Sequence, residues 1–495
     1  MDIELVGRAL RTLPDEADDD HPYRTGPWRP QHEEWHVDVL DVVEGALPED
    51  LDGLYLRNTE NPVHLPIKAY HPFDGDGMVH AVGFQDGRAW YRNRFVRTTG
   101  FEAEQEAGRS LWAGVAESPS VAERPAVRPD GWGARGRMKD ASSTDVVVHA
   151  GQAVTSFWQC GDLYRLDPLT LDTLGATSWD GWFPDAGVSA HTKVDEATGE
   201  MLFFSYGLEA PYLHYGVVDA DNRLVHHTPV PLPGPRLPHD MAFTEHHVVL
   251  NAFPMYWDPR LLERGHFALA LHDEPSRFAV LPRRGGVDDI RWFEADPTYV
   301  LHFTNAYEDD DEIVLEGFYQ ESPMPAPDVS DDMWMFRYLA LDWMRTRLHR
   351  WRFDLRTGAT HEEHIRDEYT EFGIINPNVA GRRHRYVHAA TGKPGWFLFD
   401  GVVRHDVETG ADQRLRLPDG VYCSEVGVAP KVGGTAEDDA YLVTLTTDAE
   451  RDVSECWVLD AADVTAGPVC KLRLPQRISS GTHATWAPGP ALPGW

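Results

Sequence analysis

Four of the 24 histidines stand in contexts that set them apart from ordinary surface or core residues. His191 opens "HTKVD" just before a strand-and-turn unit, and His239 follows a proline-rich loop in "LPHDMAFTEHHVVL". His302 lies within a strand in "TYVLHFTNAYEDDDEIVLEG", and His483 falls near the end in "GTHATWAP". The intervals between them, 48, 63 and 181 residues, are far outside the spacing of a local zinc motif. Metal chemistry at these positions therefore needs a fold that brings distant imidazoles together. The four cysteines, Cys160, Cys423, Cys456 and Cys470, contain no CxxC pair, so neither a thiolate metal site nor a disulfide framework is expected.

The elements available to position the histidines are strands. Helical periodicity is scarce, whereas "DVVVHAGQAVTSFW", "EMLFFSYG", "HHVVLNAF", "EIVLEGFY" and "AYLVTLTTD" return between turn signals. A weak repeat overlies them, in which a strand ends in an Asp that opens a turn: "YRLDPLTLD", "TKVDEATGE", "GVVDADNRL", "WRFDLRTGA", "VRHDVETGA" and "WVLDAADVT". These six units, spread from Tyr164 to Thr465, suit a radial array of small antiparallel sheets, and the fold class is read as all-β, a β-propeller, with a double-sheet sandwich as the alternative. A propeller brings the inner strands of separate blades to one axis, where histidines far apart in sequence can meet. Cap insertions over that axis are expected near residues 101–137, 205–238 (ending in the proline-rich "PVPLPGPRLP") and 321–350 of a single domain spanning 1–495. The last insertion contains "MWMFRYLALDWM", Met333–Met344, apolar nearly all round. Two readings stand for it: a segment buried against the cap, or an interfacial patch that touches a membrane peripherally and collects an apolar substrate.

Charge and composition exclude several classes of partner. With 45 Lys and Arg against 80 Asp and Glu, the net charge of -35 argues against nucleic acid and anionic lipid as bulk electrostatic partners. The start, "MDIELVGRALRTLPDEADDD", has no basic segment leading into an apolar run, and no apolar stretch reaches the ~18 residues of a membrane span. A cytoplasmic setting is expected. "FDGDGMVH" lacks the lysine and helix start of a phosphate loop and reads as a turn.

Over nearly its whole length the chain resembles the carotenoid cleavage oxygenases, including bacterial relatives that split aryl alkenes such as lignostilbenes and isoeugenol. The segments that carry the resemblance run in order from "LDGLYLRNTENP" and "HPFDGDGMVHAV" through "HDMAFTE", "DIRWFEADPTYVLHFTNAYEDDDEIVLEG" and "EFGIINPNVAGRRHRYVH" to "GTHATW". The resemblance implies a seven-bladed propeller capped by loops and short helices, with Fe(II) held by His191, His239, His302 and His483. Imidazole nitrogen suits Fe(II), and four protein ligands on a six-coordinate ion leave two positions open, for dioxygen and water. With no carboxylate ligand, ring orientation is set by acceptors at the other nitrogen of each ring. By motif match these are Glu371 in "TEFGII" for His302 and Glu425 in "CSEVGV" for His483, while Gln159 stands where the family has a glutamate for His239. Thr144 matches a threonine near the open position. Phe101, Trp158 and Phe303 are the implied substrate-facing residues. The first two occupy positions where the lignostilbene-cleaving branch anchors a phenolic hydroxyl with Tyr and Lys.

The implied activity is cleavage of a conjugated C=C bond of an apolar alkene (a carotenoid, apocarotenoid, stilbene or propenylphenol) by O2 to two carbonyl products, with no organic cofactor. Two other readings compete with it. One is a retinoid isomerase or ester-cleaving enzyme on the same iron scaffold. The other is a non-catalytic propeller that binds an apolar ligand, for which the neutral Gln159 is the encouragement.

Overall fold

A computed structural model describes residues 1–128, 131–264, 266–324 and 339–495. Strand accounts for 44% of the chain and helix for 9%. The chain divides into two compact units, one of residues 1–177, 400–403 and 413–495, the other of residues 178–399 and 404–412.

In the first unit, the strands Glu4–Arg8, Glu33–Val37, Arg88–Phe95, Asp76–Gln85, Gly53–Arg57 and Ala484–Pro488 lie side by side in that order. The last of these places residues from opposite ends of the chain in register, with Trp486 opposite Tyr55 and Ala484 opposite Arg57. A second such pairing sets Asp41–Gly45 against Pro468–Arg473. Thr173–Ala176, Tyr164–Leu166, Gln152–Ser156 and Asp145–His149 form a separate four-stranded meander. Gly53–Arg57 is buried along its whole length, and Tyr55 joins Val82, Phe84, Val443, Val458 and Ile478 in one apolar cluster. At about 1.5–3 kcal/mol for each large side chain removed from water, such clusters are what hold the early and late segments together.

The second unit is a succession of antiparallel meanders. Lys193–Asp195, Glu200–Tyr206, Tyr212–Val218 and Leu224–Pro231 make one sheet, and Ala242–Phe243, His247–Ala252, Ser276–Pro282 and Arg291–Ala295 make the next. Phe303–Asp309, Glu312–Gln320, Thr346–Asp354, Thr360–Ile374 and Tyr386–Gly392 follow in order. Each of the six aspartates of the sequence repeat closes its turn with its own carboxylate. Asp167, Asp219, Asp354 and Asp406 each accept two backbone N–H bonds from the residues that follow, and Asp195 and Asp460 accept from Ala197 and Ala462. Asp448 makes the same turn with Glu450 and Arg451, a seventh case that the repeat did not include.

Two of the expected insertions are redrawn. Most of 205–238 belongs to the regular sheet just described, because Tyr212–Val218 and Leu224–Pro231 pair along their length. Pro229 and Pro231 are tolerated there because Leu224–Pro231 is an edge strand, where a missing N–H costs no ladder bond. Near 321–350, Gln320 pairs directly with Thr346, so Thr346–Arg350 belong to the regular sheet. Met333 and the residues to 338 in the apolar segment lie outside the described residues. Leu339, Ala340, Leu341 and Met344 are buried, the last two in the short helix Leu341–Met344. Near 101–137, the helix Thr99–Ala107 starts at Thr98, whose hydroxyl accepts the Phe101 N–H, and is fastened by buried Glu104, which accepts from Lys139 Nζ and Leu111 N. No helix among the described residues is long and apolar enough to cross a membrane.

Candidate metal centre

Three of the four histidines meet within the second unit. Ring centroids of His191 and His239 are 4.8 Å apart, those of His191 and His302 4.9 Å, and those of His239 and His302 5.4 Å. The Nε2 atoms of His191 and His239 are 3.1 Å apart, and all three residues are buried. Each histidine occupies the threshold of a strand: Lys193–Asp195, Ala242–Phe243 and Phe303–Asp309 begin one to three residues later. His302 thus sits just before its strand rather than within it, past a register shift between Phe303 and Asn305, with its carbonyl still accepting the Phe318 N–H at 3.2 Å. A threshold residue is fixed by the sheet behind it while its side chain is free of the pleat's alternation, which suits three imidazoles that must converge.

Asp240, which sequence reasoning did not single out, braces all three segments. Its carboxylate accepts the N–H of Met241 (2.7 Å) and of Phe303 (2.8 Å), and its Oδ1 pairs with Lys193 Nζ at 2.8 Å. It therefore binds the residue next but one to His191, its own segment beside His239, and the residue after His302. The "HD" dipeptide before an apolar strand was the available signal, and it is too common to read without the fold.

Glu371 holds the third ring. Its Oε2 lies 2.7 Å from His302 Nδ1 and also accepts the Phe372 N–H at 2.6 Å, and the carboxylate is fully buried. A register shift between Glu371 and Ile374 bulges the strand Thr360–Ile374 at this point, and Phe372 takes φ 56°, a left-handed conformation that costs an aromatic residue about 1–2 kcal/mol. The bulge aims the carboxylate at the histidine and lays the Phe372 ring 4.6 Å from the imidazole. With the proton on Nδ1 directed at Glu371, the lone pair of His302 is on Nε2, the tautomer that ligation requires. Replacing Glu371 with Ala is expected to weaken metal binding about 10- to 100-fold in a chelator-competition titration. An unchanged affinity would remove Glu371 from the site.

The first unit repeats the device once. His483 Nδ1 is 3.3 Å from Glu425 Oε2, which also accepts the Ala484 N–H at 2.8 Å, and Tyr55 Oη donates to the Glu425 carbonyl at 2.9 Å. Burial alone would depress the His483 pKa, but the Glu425 hydrogen bond and charge, with Asp145 and Glu60 behind them, outweigh it and raise the pKa to about 9. Serving as a ligand would require that proton to leave.

Thr144, just before the strand Asp145–His149, accepts the Trp158 N–H with its hydroxyl at 3.2 Å. Trp158 and Gln159 lie in the turn closed by Cys160 N to Phe157 O, both buried, with the Trp158 ring edge-on to Phe73 at 6.0 Å. The Gln159 amide nitrogen has no hydrogen-bond partner among the described residues. Phe101 is stacked on Phe95 at 5.0 Å inside an apolar cluster with Ala9, Val63 and Met78, so its ring is committed to core packing. In the second unit, Phe303 packs with Phe253, Phe278 and Trp351 directly behind His302.

Three buried imidazoles, one with its tautomer set by a carboxylate and all placed by strand thresholds, fit a borderline transition metal such as Fe(II) and suit a hard oxygen-loving cation poorly. A family model described as Retinal pigment epithelial membrane protein matches residues 28–488. The carotenoid 9,10(9',10')-cleavage dioxygenase 1 of Pisum sativum is 29% identical, over 97% of this chain and 93% of its own. The apocarotenoid-15,15'-oxygenase of Synechocystis sp. is 30% identical, over 93% and 95%. Among solved structures, the lignostilbene dioxygenase of Pseudomonas brassicacearum superposes with a TM-score of 0.82 at 27% identity, covering 97% of this chain and 100% of that one.

Proposed function

The chain belongs to the retinal pigment epithelial membrane protein family, and from that membership we propose that it is a non-haem Fe(II)-dependent dioxygenase that cleaves a conjugated C=C bond of an apolar alkene to two carbonyl products. The observation that carries this is the cluster of His191, His239 and His302 with Glu371 behind it. The seven-bladed propeller with its cap, His483 as fourth ligand, Gln159 as the neutral support of His239 and Thr144 near an open position are parts of the same proposal. Recurrent antiparallel meanders and the pairing of the last strand with Gly53–Arg57 support the propeller.

Bound Fe(II) would supply the activation of O2 that the side chains cannot. The chain's own contribution is positional. Glu371 keeps a proton at His302 Nδ1 and so keeps the opposite nitrogen basic, while Asp240 fixes the three segments relative to one another. The rings of Phe303, Phe253, Phe278 and Trp351 pack together and fix the start of the strand that follows His302.

For the substrate, Trp158 stands at one of the two positions where a phenol anchor would be expected, and Phe101 at the other is taken up by the core. Neither fully replaces the water contacts that a buried phenol loses, so an apolar end group is favoured. The test is anaerobic loading with Fe(II), then O2 uptake and product analysis against carotenoids, apocarotenoids, stilbenes and propenylphenols. One O2 consumed per alkene cleaved is expected, with hydroxylated and O-methylated forms of an accepted aryl alkene differing by less than about tenfold in kcat/KM, or ~1.4 kcal/mol. An isomerised product without O2 uptake would overturn the dioxygenase reading, and a strict need for the free 4-hydroxyl would overturn the end-group reading alone.

A further inference from the structure

Away from the three-histidine cluster, the second unit holds another pair of imidazoles. His349 on Thr346–Asp354 and His364 on Thr360–Ile374 are directly opposite in the antiparallel register, so both side chains stand on one face. Their Nδ1 atoms are 2.9 Å apart, and the rings are nearly perpendicular with centroids at 4.7 Å. On the far side of His349, Nε2 is 3.3 Å from Glu362 Oε2, and Glu362 is itself fixed by the Asp296 N–H, 2.9 Å from its other oxygen. This carboxylate favours the proton on Nε2 of His349 and the lone pair on Nδ1, facing His364. His349 is buried and held at its ring by Trp351 (4.4 Å) and Tyr319 (5.0 Å), while His364 is exposed and opens the pair to solvent.

We propose that His349 and His364 form a second transition-metal site, a cross-strand chelate for Cu(II) or Ni(II) built from residues other than those of the iron centre. Metal–nitrogen bonds of about 2.0–2.1 Å meeting at a right angle put the two donors about 2.9 Å apart, whereas a tetrahedral angle needs about 3.4 Å. The observed separation matches the right angle of square or octahedral coordination, the geometry that Cu(II) and Ni(II) prefer and structural Zn(II) does not. Without metal the same contact is one N–H···N hydrogen bond, and binding replaces its proton by the ion. Strand pairing fixes both donors beforehand, so little ordering opposes binding, and Glu362 plays the part that Glu371 plays for His302.

The test is titration of the full chain with Cu(II), followed by calorimetry and by electron paramagnetic resonance. A tetragonal signal with hyperfine coupling to two imidazole nitrogens is expected, retained in His191→Ala and lost in His364→Ala, where Cu(II) affinity falls at least tenfold. His364 is exposed, so that variant folds. Glu362→Gln leaves both rings in place and is expected to weaken Cu(II) binding several-fold. Unchanged Cu(II) affinity in His364→Ala, or a signal that vanishes in His191→Ala and persists in His364→Ala, would overturn the site.

Discussion

Replacing His191, His239 or His302 with Ala is expected to lower metal content below about a tenth of an equivalent and activity by at least 10²-fold, with the fold retained. Losing only an outer support of a ligand costs 10- to 100-fold in affinity, so losing the ligand costs at least as much. The fold should survive because alanine keeps every backbone hydrogen bond at these positions, including the one His302 accepts at its carbonyl from the Phe318 N–H. The same result is expected for His483→Ala if it supplies the fourth nitrogen. A buried histidine with no part in the cluster provides the contrast. His384 is held by Glu316 at 3.1 Å and Asn305 at 3.0 Å, and its replacement should lower stability while leaving metal content intact. Metal analysis beside circular dichroism checks both. A full equivalent of metal in any of the three cluster variants would take that histidine out of the centre.

Much of this was legible in the residues, and what was not had a physical reason. The Asp turns were readable because an aspartate two or three residues before an N–H is a local device: all six proposed from the repeat close with that carboxylate. The four histidines stood out by context, but the meeting of His191, His239 and His302 is a tertiary fact that no spacing encodes, and it was the family resemblance that proposed all four as one set. Sequence placed His302 inside a strand because "VLHFTNAY" is rich in apolar, aromatic and β-branched residues. The bulge after it is set by pairing with Glu312–Gln320, which the residues of one strand do not reveal. Residues 205–238 read as an insertion because prolines outweighed the alternation of "LVHHTPVP". On an edge strand that alternation wins, with Thr228 and Val230 turned inward. Phe101 was matched to a substrate position by motif, yet motif matching is blind to whether a ring faces a ligand or the core. Asp240 was missed for a similar reason, since two of its three partners, Lys193 and Phe303, are distant in sequence, the latter by 63 residues.

Asp240 is where stability and metal binding should be lost together. Its carboxylate is 1% exposed and accepts from two backbone N–H groups and a lysine. Asp240→Ala would leave the Phe303 and Met241 N–H groups buried without acceptors and Lys193 without its partner, a loss on the order of 3 kcal/mol, since each unmet buried donor costs about 1–3 kcal/mol. The unpaired groups would be relieved by movement of the Lys193, Met241 and Phe303 segments away from one another. Those are the segments that carry His191, His239 and His302, so metal affinity is expected to fall at least tenfold as well. Asp240→Asn keeps the shape but turns an NH2 toward a donor, and should give an intermediate result in both measurements. Glu316→Ala separates bracing from general destabilisation. It removes a buried carboxylate that accepts from Arg350 and His384, at similar cost. Although Glu316 pairs across the sheet with Asn305, its carboxylate bonds to none of the three histidine segments. Denaturant titration paired with metal-affinity measurement should therefore show stability falling in both variants and affinity falling only in the Asp240 series. If Asp240→Ala binds metal as tightly as Glu316→Ala, Asp240 contributes to folding alone, and the three imidazoles are held by their strands without it.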